Sequence, residues 1–234
     1  MRILGLIPAR GGSKGVHRKN VRLLGGKPLL QYSVEAAYQS RLLTRTILST
    51  DDAEIASIGA TLGIDVPFIR PATLAEDRTP MVAVMLHALT ELHKDNDLYD
   101  IVVLLQPTTP LRLASDIDEA IQLLLASGAN SVASVTLVPE HYHPRWQFVI
   151  EDKFLKLYTG EPVEQIVTAR QLLSPTYRRN GAVYVVRSDF LLKHKTILSS
   201  DLRAYIMPES RSVNIDSEFD FQIAELMLRL QSNE

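Results

Sequence analysis

The chain opens with MRILGLIPARGGSKGVHRKN (residues 1–20), a strand-like run followed by a basic, glycine-rich loop. The apolar run Ile3–Ile7 predicts a buried strand, and Pro8 ends it. The three glycines of the loop let the backbone turn tightly and approach a ligand closely. Backbone N–H groups combined with Lys and Arg side chains favour a site for several phosphate charges. The cations of the loop are Arg10, Lys14, Arg18 and Lys19.

This loop differs from the two common nucleotide-binding loops. In a Walker A loop the lysine follows the last glycine and precedes Ser or Thr, whereas here Lys14 precedes Gly15. The dinucleotide-binding fingerprint has no place for so many cations. A solvated basic turn is the alternative interpretation, but the position directly after the first strand favours a phosphate-binding loop.

Further along the chain, short apolar runs alternate with helix-length amphipathic stretches. Strands are predicted over residues 46–49, 66–69, 101–105 and 131–138, and helices over residues 29–40, 53–62, 81–93 and 116–126. This alternation predicts an α/β fold with a mostly parallel, Rossmann-like sheet and helices on both faces. Ligands of such sheets bind at the carboxyl ends of the strands. The loops after Ile7, Ser49, Leu105 and Val213 are therefore the candidate site loops.

The alternation stops at Pro139 and resumes after Pro175. The intervening residues include alternating apolar positions from Phe148 to Leu157, which predict a hairpin-bearing insertion. We therefore expect an α/β core formed by residues 1–138 and 176–234, and an insertion formed by residues 139–175. The core resumes with a strand over 181–186 and closes with a helix over 219–230. His141 and His143 lack a third ligand at metal-binding spacing, so packing is favoured over a zinc site.

The bulk composition excludes several classes of protein. The net charge of −2 gives no basic field for nucleic acid, and the chain has no cysteine for disulfides or thiolate metal sites. The apolar runs are too short to span a bilayer, and the start lacks the apolar core of a signal peptide. We expect a cytoplasmic protein without a membrane or nucleic-acid partner.

Five segments, in the same order along the chain, resemble the CMP-sialic acid synthetase (acylneuraminate cytidylyltransferase) family. They are IPAR–SK–KN within residues 7–20, RP–LAED within 70–77, QPTTPLR at 106–112, RNGAVY at 179–184 and NIDSEFD at 214–220. The resemblance implies the nucleotide-diphospho-sugar transferase type of fold, with the insertion as a dimerisation arm of a homodimer. It implies transfer of CMP from CTP to an acidic nine-carbon sugar, with Mg²⁺ as cofactor and pyrophosphate as second product.

The resemblance also implies roles for single residues. Arg10, Lys14 and Lys19 would act catalytically by holding the triphosphate, and residues 70–81 would line the cytosine pocket. The implied nucleotide-binding residues are Ala9, Arg10, Gly11, Ser13, Lys14, Lys19, Asn20, Arg70, Asp77 and Met81. Met81 departs from the family, which often has Ser or Thr there, so we expect backbone groups to read the base.

The implied sugar-binding residues are Gln106, Thr108, Thr109, Arg112, Arg170 and Arg178. Arg112 has two interpretations, a partner for the sugar carboxylate or one half of a salt bridge within the protein. Arg170 and Arg178 are interpreted as cations of the arm or of a lid over the sugar.

The implied metal ligands are Asp216 and Asn214, since Mg²⁺ prefers oxygen donors. Relatives place a second aspartate where this chain has Asn214. Asp216 has an alternative role as helix N-cap, although Ser217 could cap that helix instead. The pair Asp51–Asp52 is interpreted first as a helix cap and second as an acidic group near the site.

Two rival functions stay open at this point. One is a nucleotidyltransferase for another acidic sugar of the eight-carbon Kdo type, although those enzymes have an acidic residue within the motif that here reads QPT (106–108). The other is a catalytically silent nucleotide-binding scaffold, supported only by Met81 and Asn214. No His or Glu occupies a motif position that would supply a general base.

Overall fold

The computed structural model describes residues 1–231 and is built around a six-stranded sheet. In chain order the strands are β1 (Ile3–Pro8), β2 (Leu23–Leu24), β3 (Lys27–Pro28), β4 (Arg45–Ser49), β5 (Ile101–Leu104), β6 (Ser131–Leu137), β7 (Phe148–Glu151), β8 (Phe154–Leu157), β9 (Tyr177–Arg187) and β10 (Arg203–Ile206). The central sheet has the order β10-β6-β9-β5-β1-β4.

The central sheet is mostly parallel, as the alternation of strands and helices predicts. β1 pairs in parallel with β4 and β5, and β10 pairs in parallel with β6. β9 lies antiparallel between β5 and β6. β1 and β5 are buried along their whole length, which accounts for their continuous apolar sequences.

Helices cover both faces of this sheet. The helices are α1 (Leu29–Gln39), α2 (Ala53–Thr61), α3 (Met81–Lys94), α4 (Ala114–Ser127), α5 (Ser188–His194) and α6 (Glu218–Gln231). α1, α2 and α4 contribute to the hydrophobic cluster on one face, whereas α3 and α5 contribute to the cluster on the other face. The α/β fold class is therefore confirmed. In residues 1–231 no helix has both the length and the apolar character needed to cross a membrane.

The insertion has the predicted hairpin. β7 and β8 form an antiparallel pair that is separate from the central sheet, with a tight turn at Asp152 and Lys153, both of which have positive φ. His143 is buried within the insertion, where its Nε2 lies 2.9 Å from the carbonyl oxygen of Ser174. This agrees with a packing role for the histidine.

Some element predictions were wrong. Residues 66–69 do not form a strand, and only isolated bridges at Asp65 and Ile69 join this segment to β4 and Thr50. Pro67 lies between these bridges and has no N–H to donate to a ladder. The structure adds α5, β10 and the short pair β2–β3, none of which the sequence analysis anticipated.

Candidate active site

A cleft of about 460 Å³ lies at the carboxyl ends of β1 and β5. It is the place where ligands bind in open α/β sheets. Three of the candidate loops meet there, namely those after β1, after β5 and after residue 213. The site residues expected from the sequence that line this cleft are Arg10, Ser13, Lys14, Lys19, Asn20, Arg70, Asp77, Met81, Gln106, Thr108 and Asp216. Other residues that line it include Gly15, Leu74, Glu76, Thr79 and Val84.

Hydrogen bonds to neighbouring elements hold the loop after β1 in shape. The N–H of Ala9 donates to the carbonyl of Ser49 at 3.0 Å, and Ala9 itself is buried. The N–H of Gly11 donates to Asp51 Oδ1 at 3.2 Å. Across the loop, Asn20 Nδ2 donates to the carbonyl of Arg10 at 2.9 Å. Ala9 and Gly11 thus act here through their backbone, whereas Asn20 also faces the cleft.

The far end of this loop packs directly against the segment that contains Asp216. A Cβ atom added at Gly15 would lie 1.8 Å from the carbonyl oxygen of Asp216, so only glycine fits there. Lys19 Nζ donates to the carbonyl of Ile215 at 2.7 Å and lies 3.6 Å from Asp216 Oδ1. Burial lowers the pKa of Lys19, and the neighbouring Asp216 carboxylate offsets part of that shift. The predicted phosphate-binding loop (residues 8–20, called the phosphate loop below) therefore packs directly against the predicted metal-binding segment (residues 214–216).

Asp216 is free of the capping role. Ser217 Oγ accepts the N–H of Asp220 at 3.2 Å, and Asp220 Oδ2 accepts the N–H of Ser217 at 2.8 Å, which is a capping box at the start of α6. The Asp216 side chain is mostly exposed to the cleft, and Asn214 Nδ2 donates to its carboxylate. Both predicted metal-binding side chains are therefore in contact with each other.

The two acidic residues after β4 have different roles. Asp52 Oδ1 accepts the N–H groups of Glu54 and Ile55 and caps α2, as expected. Asp51 instead lies at the site, where its Oδ1 accepts from Gly11 and lies 3.4 Å from Arg70 Nη2. The interpretation of the pair as a shared cap was therefore wrong for Asp51, which links the phosphate loop to Arg70.

Asp77 binds two of the predicted triphosphate cations. Its Oδ1 lies 2.9 Å from Arg10 Nη2, and its Oδ2 lies 2.5 Å from Lys14 Nζ. Arg10 Nη1 also donates to the carbonyl of Ala75 at 3.3 Å. The hydrogen bond from Lys14, followed by that from Arg10, lowers the pKa of Asp77, so this carboxylate is ionised near neutral pH.

Of the residues expected to bind the sugar, Gln106 and Thr108 line the cleft, but Thr109 and Arg112 do not. Thr109 is buried, and its hydroxyl donates to the carbonyl of Asn180 at 3.1 Å.

Arg112 is a buried structural cation. Its Nη1 donates to the carbonyl of Ala182 at 2.6 Å, and its Nη2 donates to Ser33 Oγ at 2.6 Å. Burial lowers its pKa to about 10, so the guanidinium keeps its charge near neutral pH. Both interpretations from the sequence are corrected. Arg112 is buried away from the cleft that Gln106 and Thr108 line, and within residues 1–231 no salt bridge joins it to an acid.

The two arginines near the insertion are separated. Arg178 lines a second cleft of about 580 Å³ together with Ser210, Ser212, Asn214 and Asp216. Asp216 borders both clefts. Arg170 lies within the insertion, exposed, with its Nη1 3.9 Å from Glu140 Oε2. Arg178 therefore lies in the second cleft, which Asp216 also lines, whereas Arg170 lies in the insertion.

A buried network that the sequence analysis missed holds the segment before Asn214. Asp116 is fully buried in α4 and accepts two hydrogen bonds from Arg211, at 3.1 and 2.8 Å. Asn180 Nδ2 donates to Ser212 Oγ at 2.9 Å, and its Oδ1 accepts from Ser134. The available signal was an aspartate next to the apolar positions 117, 120 and 121 of an amphipathic helix. Such a buried charge requires a partner.

The donor set of the site limits what metal it could bind. In the described part of the chain no three His, Cys, Asp or Glu side chains cluster in a way that could hold a metal ion. The oxygen donors of Asp216 and Asn214 would need oxygens of a bound ligand to complete the coordination of a hard cation. This requirement fits Mg²⁺, which typically uses one or two carboxylates together with substrate phosphates.

The chain is similar in sequence to curated proteins over nearly its whole length. It is 31% identical over 241 residues to a CMP-N,N'-diacetyllegionaminic acid synthase of Legionella pneumophila, covering 98% of this chain and 97% of that protein. It is 30% identical to an N-acylneuraminate cytidylyltransferase of Escherichia coli, covering 95% of this chain and 51% of that longer protein.

A solved structure with the same fold is a CMP:2-keto-3-deoxy-manno-octonic acid synthetase complexed with CTP. It has a TM-score of 0.75 and covers 99% of this chain and 100% of that chain, at 15% identity, which supports the fold alone. Residues 4–221 match the family described as Cytidylyltransferase. The chain therefore belongs to the cytidylyltransferase family and is a nucleotidyltransferase of the acylneuraminate cytidylyltransferase type.

Proposed function

We propose that this enzyme transfers CMP from CTP to an acidic nine-carbon 2-keto sugar of the sialic acid class, with release of pyrophosphate. The observation that supports this most directly is the position of Asp216 between two clefts. One cleft has the cations suited to a triphosphate. The other is lined by Glu209 and Asp220 as well as Asp216, and its cation, Arg178, is the group suited to a carboxylate. The names of the Legionella and Escherichia coli relatives indicate acceptors of this class.

The chemistry asks mainly for positioning and charge neutralisation. The anomeric hydroxyl of the sugar attacks the α-phosphorus of CTP and loses its proton to solvent. The bond from the α-phosphorus to the oxygen that bridges it to the β-phosphorus breaks, and this oxygen leaves with pyrophosphate. Arg10, Lys14 and Lys19 offset the charge that develops on the departing pyrophosphate. Gln106 and Thr108 offer neutral hydrogen-bonding groups to the sugar from the loop after β5.

We propose Mg²⁺ as the metal of this site, held by Asp216 and Asn214 together with phosphate oxygens of CTP. A divalent ion bound there would neutralise phosphate charge and orient the triphosphate. Asn214 supplies an oxygen donor without charge, so Asp216 provides the single carboxylate of the pair. Since CTP is a cytoplasmic metabolite, we place the reaction in the cytoplasm.

The Asp216→Ala variant is expected to need several-fold more Mg²⁺ for half-maximal rate, because the neutral Asn214 cannot replace the lost charge. A Mg²⁺ titration of initial rates at saturating CTP measures this. Glu218→Gln is the matched control, since Glu218 is a nearby carboxylate that pairs with Arg22. An unchanged Mg²⁺ requirement in Asp216→Ala would remove this residue from the metal site.

The choice of acceptor is tested by pyrophosphate release with CTP, Mg²⁺ and a panel of sugars. The panel should contain N-acetylneuraminate, a diacetyllegionaminate, a pseudaminate and the eight-carbon Kdo. We expect at least one nine-carbon acid to exceed Kdo by 10-fold or more in kcat/KM. Preference for Kdo would favour the rival eight-carbon function, and no release with any sugar would favour the silent scaffold.

We also propose that the enzyme is a homodimer assembled through the hairpin β7–β8. Apart from Leu157, the residues of both strands are exposed, including Ile150 at 74% and Phe154 at 72%. This exposure favours a hairpin that projects from its domain over one that folds back as a lid on its own cleft. An isolated hairpin is marginally stable in water, and exposed aromatic and aliphatic side chains are typical of an interface core.

Light scattering at micromolar concentration is expected to give a mass of twice the 26.2 kDa chain. Phe154→Asp should shift the protein towards a single chain, because it places a charge in the apolar face of the hairpin. Lys153→Asp, at the exposed turn of the same hairpin, is the control and should stay dimeric. A wild-type mass of one chain would refute the dimer.

A further inference from the structure

A carboxylate of the chain itself occupies two cations of the phosphate loop, Arg10 and Lys14. Each oxygen of Asp77 binds one cation, Oδ1 to Arg10 Nη2 at 2.9 Å and Oδ2 to Lys14 Nζ at 2.5 Å. Two oxygens of a phosphate group would present the same charge and the same kind of acceptor to these cations. Asp77 and a phosphate of the ligand therefore compete for the same donors.

The ion pairs of Asp77 with Arg10 and Lys14 lie at the protein surface, where a ligand can replace the Asp77 carboxylate. The side chains of Asp77 and Lys14 are 39% and 80% exposed, and exposed ion pairs contribute little to stability. Asp77 follows the short 3-10 turn Ala72–Leu74 instead of lying in a helix or strand of the core. The Asp77 carboxylate can thus leave both cations without disrupting the hydrophobic core.

Glu76 provides an internal comparison. Glu76 also lines the cleft. Among the residues that the structure describes, no ion pair joins Glu76 to Arg10 or Lys14. Two adjacent carboxylates with the same formal charge thus differ in whether they occupy the cations. An effect of Asp77 that depends on contact is therefore separable from the general field of an acidic segment.

We propose that Asp77 determines specificity by competing with the ligand for Arg10 and Lys14. A polyphosphate with several charges replaces both contacts at once and binds, whereas a ligand with a single phosphate is too weak a competitor. After the reaction, the return of Asp77 promotes the departure of pyrophosphate. Selectivity through a repulsive element is a general device of binding sites. The proposal rests on the proposed function to the extent that Arg10 and Lys14 hold the phosphates of CTP.

Calorimetric titration with inorganic pyrophosphate tests this without sugar or turnover. We expect Asp77→Asn to bind pyrophosphate about 3- to 10-fold more tightly than wild type, since two exposed ion pairs no longer oppose the ligand. Glu76→Gln, which removes the same charge, should bind within 2-fold of wild type. Cytidine, which has no phosphate, should bind equally to all three proteins. Thermal melts check that the variants are folded.

The alternative outcomes separate two failures. Unchanged or weaker pyrophosphate binding by Asp77→Asn would overturn the competition, and weaker binding would mean that Asp77 prearranges the cations for phosphate. An equal gain in Glu76→Gln would also overturn it, because the effect would then be a general field. If wild type and both variants all fail to bind pyrophosphate, the assignment of the phosphate loop fails together with the inference.

Discussion

The Gly15→Ala variant is expected to lose at least ~100-fold in kcat/KM, because misplacement of site groups by about 1 Å can cost that much. The added Cβ would lie 1.8 Å from the carbonyl oxygen of Asp216, so the two backbone segments must separate. Lys19 and Asp216 would then be displaced from their present positions relative to the phosphate loop. Initial rates over a range of CTP and Mg²⁺ concentrations measure the loss.

Gly12→Ala is the matched control for this variant. Gly12 lies in the same loop, and a Cβ there would have no heavy atom within 4 Å apart from its own chain neighbours. It should keep near wild-type activity. If Gly15→Ala is folded and as active as Gly12→Ala, the close packing of the two loops has no role in the reaction.

The Lys19→Ala variant is expected to lower kcat by at least ~100-fold, the usual effect of removing one preorganised electrostatic contact. Lys19 is largely buried beside Asp216, and its Nζ is fixed by the carbonyl of Ile215. A fixed cation in a partly desolvated site stabilises developing charge without reorganisation. Single-turnover measurement at saturating CTP separates this effect from weaker binding.

Lys27→Ala provides the control for Lys19→Ala. Lys27 is an exposed lysine paired with Glu35 on the surface. Lys27→Ala therefore changes the net charge by the same amount as Lys19→Ala but removes no side chain from the cleft. It should leave kcat unchanged. Near wild-type turnover by a folded Lys19→Ala protein would exclude Lys19 from the catalytic groups.

The elements that the sequence predicted well are those with strong periodicity and buried neighbours on both sides. The apolar run that became β5 and the amphipathic stretch that became α3 were placed to within a residue or two. β10 was missed because its short sequence, RAYI, does not alternate apolar and polar residues, and only Tyr205 is even partly buried. Residues 66–69 resembled a strand by composition, but Pro67 limits them to isolated bridges.

The site was predicted through the types of residue that a triphosphate needs, and most of those residues do face one cleft. Arg112 was misjudged because a sequence cannot show which side of a strand-to-helix turn an arginine side chain enters. Asp51 was misjudged because its role depends on Gly11 and Arg70, which are distant in sequence. Such long-range pairs become visible only when the loops are assembled.

The buried network around Asp116 and Asn180 shows a second limit. Asp116 and Asn180 do not line the cleft proposed for CTP, but their hydrogen bonds hold the segment that carries Asn214 and Asp216. Their partners, Arg211 and Ser212, are far away along the chain and have no local motif in common with them. A single sequence therefore identifies side chains that bind a ligand more readily than the residues that position them.

The most direct test of the central claim follows one oxygen atom through the reaction. A nine-carbon 2-keto acid equilibrated in H₂¹⁸O has a labelled anomeric hydroxyl, and it is mixed with enzyme, CTP and Mg²⁺ for a short reaction time. We predict a CMP-sugar that retains the label in its sugar–phosphate bridge, together with unlabelled pyrophosphate, by mass spectrometry. Loss of the label from the CMP-sugar, or formation of free CMP without a CMP-sugar, would contradict attack of the anomeric hydroxyl on the α-phosphorus.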